Sequence, residues 1–400
     1  MKNLTILLTL IFVLSCTQEK KLDNIVDLTS ITEPHVTNLS ELGSDIMYIP
    51  LETNASCLIK QIDKLIYEGG SYFLGSVNDL NRLPDGLSPF FLPSKNELYQ
   101  FSKNGEFICQ IGREGEAPSE YRIIKDFMYN ESNNTIEIFS LKEIKEFSLA
   151  GIWRKNKTIE YDRVASVGQT NNQLLGFIDN TTGQNEYSFV LIDAKGKIIN
   201  RFKNKYKFTS TNGIVYPSEC IFYRYNGILH CKELHSDTIF SFDNGTFIPK
   251  YILNQGEAKF TSDLRQDEPY IFKNFDKILI QKNFFESKNY LFLQYDWKKK
   301  ENCFIKNKSN GTHYLIDNGS GIVNDLDNGP NFKIQNTVTV EGTEYLIWWI
   351  DAFELKAHVD SEAFKNPTPK YLEKKKKLEK VANSLNENDN PVLMLVKLKE

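Results

Sequence analysis

The first residue with chemistry to offer is Cys16. It ends an apolar run from Leu4 to Leu14 that follows a single positive charge at Lys2, and Val13-Leu14-Ser15-Cys16 has the layout of a lipobox. A thiol in that place becomes the thioether of a diacylglyceryl group. The run is far shorter than the roughly 20 residues a spanning helix needs. Residues 1–15 are therefore expected to be a lipoprotein signal peptide, and residues 16–37 a polar, flexible tether. Two acyl chains anchor a protein stably where one does not. The expected address is the cell envelope, on the outer membrane, facing either the periplasm or the outside.

Two other clusters offer polar chemistry. Arg113, Glu120 and Tyr121 lie within one short segment and could hold a polar ligand, or could fix a loop through an ion pair and a tyrosine hydroxyl. Asp325 and Asp327, in Asp325-Leu326-Asp327-Asn328-Gly329, bring two carboxylates to one turn. That hints at calcium, but the spacing is not that of an EF-hand loop, and a plain turn explains it too. These five residues form the candidate ligand-binding set. No catalytic or metal-binding residue is assigned, and the sequence names no cofactor. His35, His230, His235, His313 and His358 are scattered, without the i, i+4 pair of a zinc protease. There is no Walker loop, no Gly-x-Ser-x-Gly elbow and no Cys-x-x-Cys pair.

The remaining cysteines, Cys57, Cys109, Cys220, Cys231 and Cys303, are odd in number. Asn226-Gly227 between Cys220 and Cys231 is a two-residue hairpin signal that sets Phe222 opposite Cys231. Cys220 is then one diagonal away, roughly 7–8 Å, too far for a disulfide. Both thiols are expected to be free.

Composition limits the elements that position these residues. Phe (27) and Tyr (19) far outnumber Met (4), which suits short strands joined by polar turns. A net charge of −4 argues against a nucleic-acid partner. A turn flanked by apolar residues recurs: Phe101-Ser102-Lys103-Asn104-Gly105-Glu106-Phe107, then the segments opening at Phe147, Ile192 and Phe242, with Tyr295-Asp296-Trp297 and Ile350-Asp351-Ala352 as degenerate copies. A period of roughly 45–55 residues built from short strands marks a propeller, because a small sheet with two apolar faces must stack against neighbours.

The expected fold is all-β, one six-bladed β-propeller over residues 38–400. Its blades lie near 58–112, 119–159, 161–205, 213–256, 275–316 and 331–400. Asp45–Leu51 and Pro391–Leu398 are expected to pair in the last blade and close the ring. One helix is expected between Pro369 and Leu385, with Leu378, Val381 and Leu385 inward and Lys374–Lys377 outward. The segment from Asn78 to Glu97, with Leu80, Leu83, Leu87, Phe90, Phe91 and Leu92, would share one rim with Arg113–Tyr121 and Asp317–Asn331. It is either a contact surface or a plug.

Several segments resemble the six-bladed β-propeller lipoproteins of gut bacteria with two membranes, a group largely of unknown function. They are Tyr48–Glu52, Phe107–Tyr121, Asp237–Phe240, Pro249–Tyr251, Asn324–Gly329 and Glu387–Leu393. Where that group has Gly-Pro-Gly-Glu-Tyr, this chain has Ala117-Pro118-Ser119-Glu120-Tyr121. The resemblance implies the fold and the tether, and it supplies no catalytic residues. The function expected is a membrane-tethered, non-catalytic binding or scaffold module for an envelope protein or a glycan. The alternative is a calcium-dependent lactonase- or lyase-like enzyme working in the central channel.

Overall fold

The computed structural model describes residues 24–35, 38–77, 96–160, 163–210, 216 and 218–399. Cys16 and nearly all of the apolar segment from Asn78 to Glu97 lie outside the described residues. Six antiparallel sheets stand around a common axis. Their innermost strands are Ile62–Glu68, Asp126–Asn130, Val164–Thr170, Cys220–Tyr225, Ile280–Glu286 and Asn336–Val340, which open blades 1 to 6. Inner strands touch from blade 2 round through blades 3, 4, 5 and 6 to blade 1, and the Lys64–Asp126 ion pair joins blades 1 and 2.

Blade stacking follows from the sequence alternation. In blade 4, Leu229, Cys231 and Phe242 pack toward blade 3, while Ile221, Ile239 and Leu253 pack toward blade 5. Neither face is stable in water alone, so each blade needs both neighbours. The recurrent turns are equivalent in the first four blades. Gly105, Gly151, Gly196 and Gly245 all have positive φ, and Asp193 Oδ1 accepts from the amides of Lys195 and Lys197. Gly105 and Gly196 have a second duty: a Cβ there would lie 2.1 Å from Pro50 O and 2.0 Å from Thr158 O of the preceding blade.

The ring closes as the end segments suggested. Gly43–Pro50 pairs antiparallel with Val392–Leu398, completing blade 6 beside Thr343–Ile350 and Asn336–Val340. Asn226 and Gly227 form the two-residue turn, Phe222 faces Cys231, and all five described cysteines are free.

Three expectations need correction. The polar tether does not run to residue 37: Ile25–Asp27 adds a fifth strand to blade 4, parallel to Thr246–Asn254, because Val26 and Leu28 are buried there. From it residues 28–35 run past blade 5, where His35 N donates to Leu315 O. Tyr295 and Ile350 are not equivalent to the earlier repeat residues. They end the second strands of blades 5 and 6, not the third, since an apolar residue followed by Asp marks many hairpin ends. The helix expected before Leu385 exists as Leu372–Ser384, with Leu378 buried, but it is one of three in the blade 6 insertion. Ala352–Asp360 and Glu362–Lys365 precede it, and their Leu355, Val359 and Phe364 share its core. Among the described residues no helix is long and apolar enough to cross a membrane.

Candidate functional site

The residues singled out from sequence fall into two separate structural devices. Arg113 Nε donates to Glu120 Oε1 (2.6 Å), and the Ala117 amide donates to Glu120 Oε2 (2.9 Å). That amide and the guanidinium hold Glu120 below the usual carboxylate range. Tyr121 is buried, and its backbone bonds to Arg113 and Gly115 (3.0 and 2.9 Å). Pro118 O accepts from Lys145 Nζ and Asn156 Nδ2, which fixes the turn without the two glycines of the resembling group. This trio pins the connection between blades 1 and 2, with Tyr121 buried beneath it.

Asp325 and Asp327 point to different partners. Asp325 Oδ1 accepts from the Ser40 amide (2.9 Å), whereas Asp327 is buried and accepts from Tyr48 Oη, Asn324 Nδ2 and the Gly329 amide (3.1, 2.8 and 2.9 Å). Burial raises Asp327 above its ordinary range. Among the described residues no three His, Cys, Asp or Glu side chains gather closely enough to hold a metal ion. The resembling segments meet at the ring closure. Tyr48 ties to Asn324–Gly329, and Asn390 Nδ2 donates to Glu52 O and Cys57 O (2.7 and 2.6 Å). Between blades 1 and 2, a cavity of about 30 Å³ is lined by Asp63, Lys64, Lys125 and Asp126. That is room for about one water.

A denser arrangement lies between blades 4 and 5. Glu286 ends the inner strand of blade 5, with its carboxylate fully buried. Its Oε1 accepts from Lys250 Nζ (2.5 Å) and Tyr223 Oη (2.8 Å), and its Oε2 from Lys308 Nζ (3.0 Å) and Tyr251 Oη (3.3 Å). The local chain geometry explains the convergence. Pairing between the last two long strands of blade 4 shifts at Ile239/Phe240, leaving Lys250 as the extra residue, and such a bulge re-aims side chains. Lys308 follows the third strand of blade 5, and Tyr225 ends the inner strand of blade 4. The Tyr225 ring lies 4.0 Å from Lys308 Nζ and 5.1 Å from Lys250 Nζ, within cation–π range of both.

Protonation states follow from donor and acceptor logic. Tyr223, His230 and Ser241 face one another across blade 4. Lys250 Nζ is 3.0 Å from His230 Nε2, and Ser241 Oγ is 3.1 Å from His230 Nδ1. An ammonium only donates, so Nε2 holds the lone pair and Nδ1 carries the proton, assigned from this network. Burial, reinforced by Lys250, pushes His230 down to about 4, so the imidazole is neutral at physiological pH. Burial works against the charged Glu286, but the hydrogen bonds and charges of Lys250 and Lys308 outweigh it and hold the carboxyl below its usual range.

The cluster is therefore one carboxylate, two ammoniums and a neutral imidazole, with one positive charge in excess. The lysine side chains are 22 % and 19 % exposed, so the excess charge reaches solvent. His230 cannot act as base toward Ser241, because its lone pair is occupied by Lys250 and its proton already points at the hydroxyl. The arrangement can hold an anion; it does not activate a nucleophile. Sequence reasoning noted Lys250 and Tyr251 here only as part of a resembling segment, and His230 only as one of five scattered histidines. Tyr223 to Lys308 spans most of two blades, so no local spacing joins them. The readable signal was an acid directly after two phenylalanines at the end of an inner strand, Phe284-Phe285-Glu286.

Residues 87–397 match the DUF4934 family, described as a domain of unknown function. No curated protein matches the chain. The crystal structure of a Bacteroides fragilis protein described as exported is similar over 94 % of this chain and 100 % of its own, with 17 % identity and a TM-score of 0.67. That likeness speaks for the fold. The WD40 domain of Pan2 from Neurospora crassa (8 % identity, 71 % and 72 % coverage, TM-score 0.39) is too distant to carry weight.

Proposed function

The chain belongs to the DUF4934 family, and from that premise we propose that it is a lipid-anchored envelope propeller that binds an acidic saccharide without transforming it. The lipobox ending at Cys16 supports the anchor, and the similar Bacteroides protein described as exported agrees with that address. The observation that carries the binding role is the unbalanced positive charge at Lys250 and Lys308 beside the Tyr225 ring. A sugar ring stacks on a tyrosine face while its carboxylate meets two ammoniums, which a neutral sugar cannot do. The rigid ring suits this work because Lys250, Lys308 and Tyr225 are already held in place by their neighbours and little ordering is lost on binding.

Calorimetric titration of the full chain tests this reading with an oligogalacturonate and a neutral oligosaccharide of the same length. The acidic oligomer should bind at least roughly ten-fold tighter, and added salt should weaken it. Equal affinity for both, or binding by neither, would contradict the reading.

A further inference from the structure

The connection from blade 4 to blade 5 is an exposed aromatic knob. It contains the short helices Ser262–Arg265 and Glu268–Lys273 and is held from beneath by Ile271, Phe260 and Ile278. Ile271 turns inward, but its neighbours do not: Tyr270, Phe272 and Phe275 are 43 %, 64 % and 46 % exposed. Lys273 and Lys277 alternate with them and are also exposed. Three large aromatic rings in eight residues, interleaved with lysines, are far from the scattered apolar exposure normal for a protein surface. Rings that are greasy in body, with basic side chains beside them, suit the boundary between lipid headgroups and acyl chains.

The chain itself says what would cover this knob. The first described residues, Asn24–Asp27, lie along the outer strand of blade 4, and Asp27 Oδ1 accepts from Asn254 Nδ2 just before the knob begins. A Cβ on Gly256 would touch Thr29, so the strap and the knob's first residues abut. The strap then passes the turn after Tyr290–Trp297: Glu33 pairs with Lys298 and Lys300 (3.7 and 3.8 Å), and the Lys298 amide donates to Asp276 O of the knob. Strap, knob and lysine turn thus form one continuous edge. Cys16 precedes Asn24 by eight residues, a reach of at most about 28 Å when fully extended. A bilayer holding a lipid on Cys16 therefore lies within that reach of Asn24, at the far end of the strap from the knob.

We propose that the blade 4–5 edge seats directly on the membrane, with Tyr270, Phe272 and Phe275 in the interfacial layer and Lys273, Lys277, Lys298 and Lys299 facing anionic headgroups. This rests on the lipid at Cys16. Such seating would fix the ring's orientation on the bilayer rather than leave it swinging on a tether. It would also add an interfacial contact to the acyl chains on Cys16.

The test uses the full-length lipoprotein carrying Phe272→Trp, in vesicles of phosphatidylethanolamine and phosphatidylglycerol with brominated acyl chains. Mass spectrometry of Cys16 reports the lipid separately. Bromine should quench the introduced indole by about half, read as the difference from the unsubstituted chain, whose native Trp297 adjoins Lys298 on the same edge. A second variant, Phe272→Asp with Phe275→Asp, should release the Cys16→Ser chain from the same vesicles. An introduced indole that bromolipid leaves unquenched overturns the proposal, whether or not Cys16 carries lipid, and leaves the knob to a protein partner. Quenching without lipid on Cys16 would uphold the edge and refute the anchor.

Discussion

The junction of blades 1 and 2 and the junction of blades 4 and 5 are both held by charged side chains, but they balance their charges differently. At the first, Lys64 meets Asp126 and Arg113 meets Glu120, one cation to one anion, with Lys64 and Arg113 well exposed. At the second, one fully buried carboxylate draws in two lysines, two tyrosine hydroxyls and, through Lys250, a neutral histidine. Paired charges in water act as mortar and contribute little. A buried carboxylate with a surplus of cations is costly to assemble, and it leaves a charge for something else to complete. The contrast separates a joint from a site.

Several changes would sharpen that contrast. The largest effect lies outside both junctions: deleting residues 391–400 removes the third strand of blade 6, on which closure depends. Cooperative thermal unfolding should vanish; a truncated chain that melts like the full one would refute strand closure. Next, Glu286→Ala strands two ammoniums at the blade 4–5 junction and should cost about 3–5 kcal/mol by denaturant unfolding. A loss as small as that of a surface pair would erase the distinction between the two junctions.

The pH dependence is intermediate. His230 is neutral in the fold with its pKa lowered to about 4, against an ordinary 6.5. The unfolded chain binds the proton more readily, so this contribution is full above pH 6.5 and is lost as pH falls toward 4. Stability should drop by roughly 3 kcal/mol across that window on this account, and His230→Asn should flatten the slope. His235, also lowered to about 4, adds to the slope, while Glu233, raised to about 7 by burial, opposes it. The variant-minus-parent difference isolates His230. Smallest of all, Lys64→Gln at the blade 1–2 junction should cost under about 1 kcal/mol.

Much of the ring was legible because its rule is local. A turn glycine with positive φ at 105, 151, 196 and 245, each preceded by a buried apolar residue, repeats within one hairpin and can be read from a window of seven residues. Closure was legible too, since Asp45–Leu51 and Pro391–Leu398 both read as buried strands. The strap at Ile25–Asp27 was hidden by its brevity: three residues in a polar stretch carry no period. The site was hidden for a different reason. Arg113, Glu120 and Tyr121 looked chemical because they are neighbours in sequence, and neighbours in a loop usually hold the loop. Glu286, Lys250, Lys308 and Tyr225 come from four separate elements, and the bulge that aims Lys250 is a property of pairing that the segment alone does not reveal.

The claim that the surplus charge between blades 4 and 5 receives the ligand is tested most directly by titrating one acidic oligosaccharide into two variants. Lys308→Gln should weaken binding at least roughly ten-fold, while Arg113→Gln should leave it unchanged. Weakening by Arg113→Gln with Lys308→Gln silent would place the ligand on the opposite junction and contradict the account.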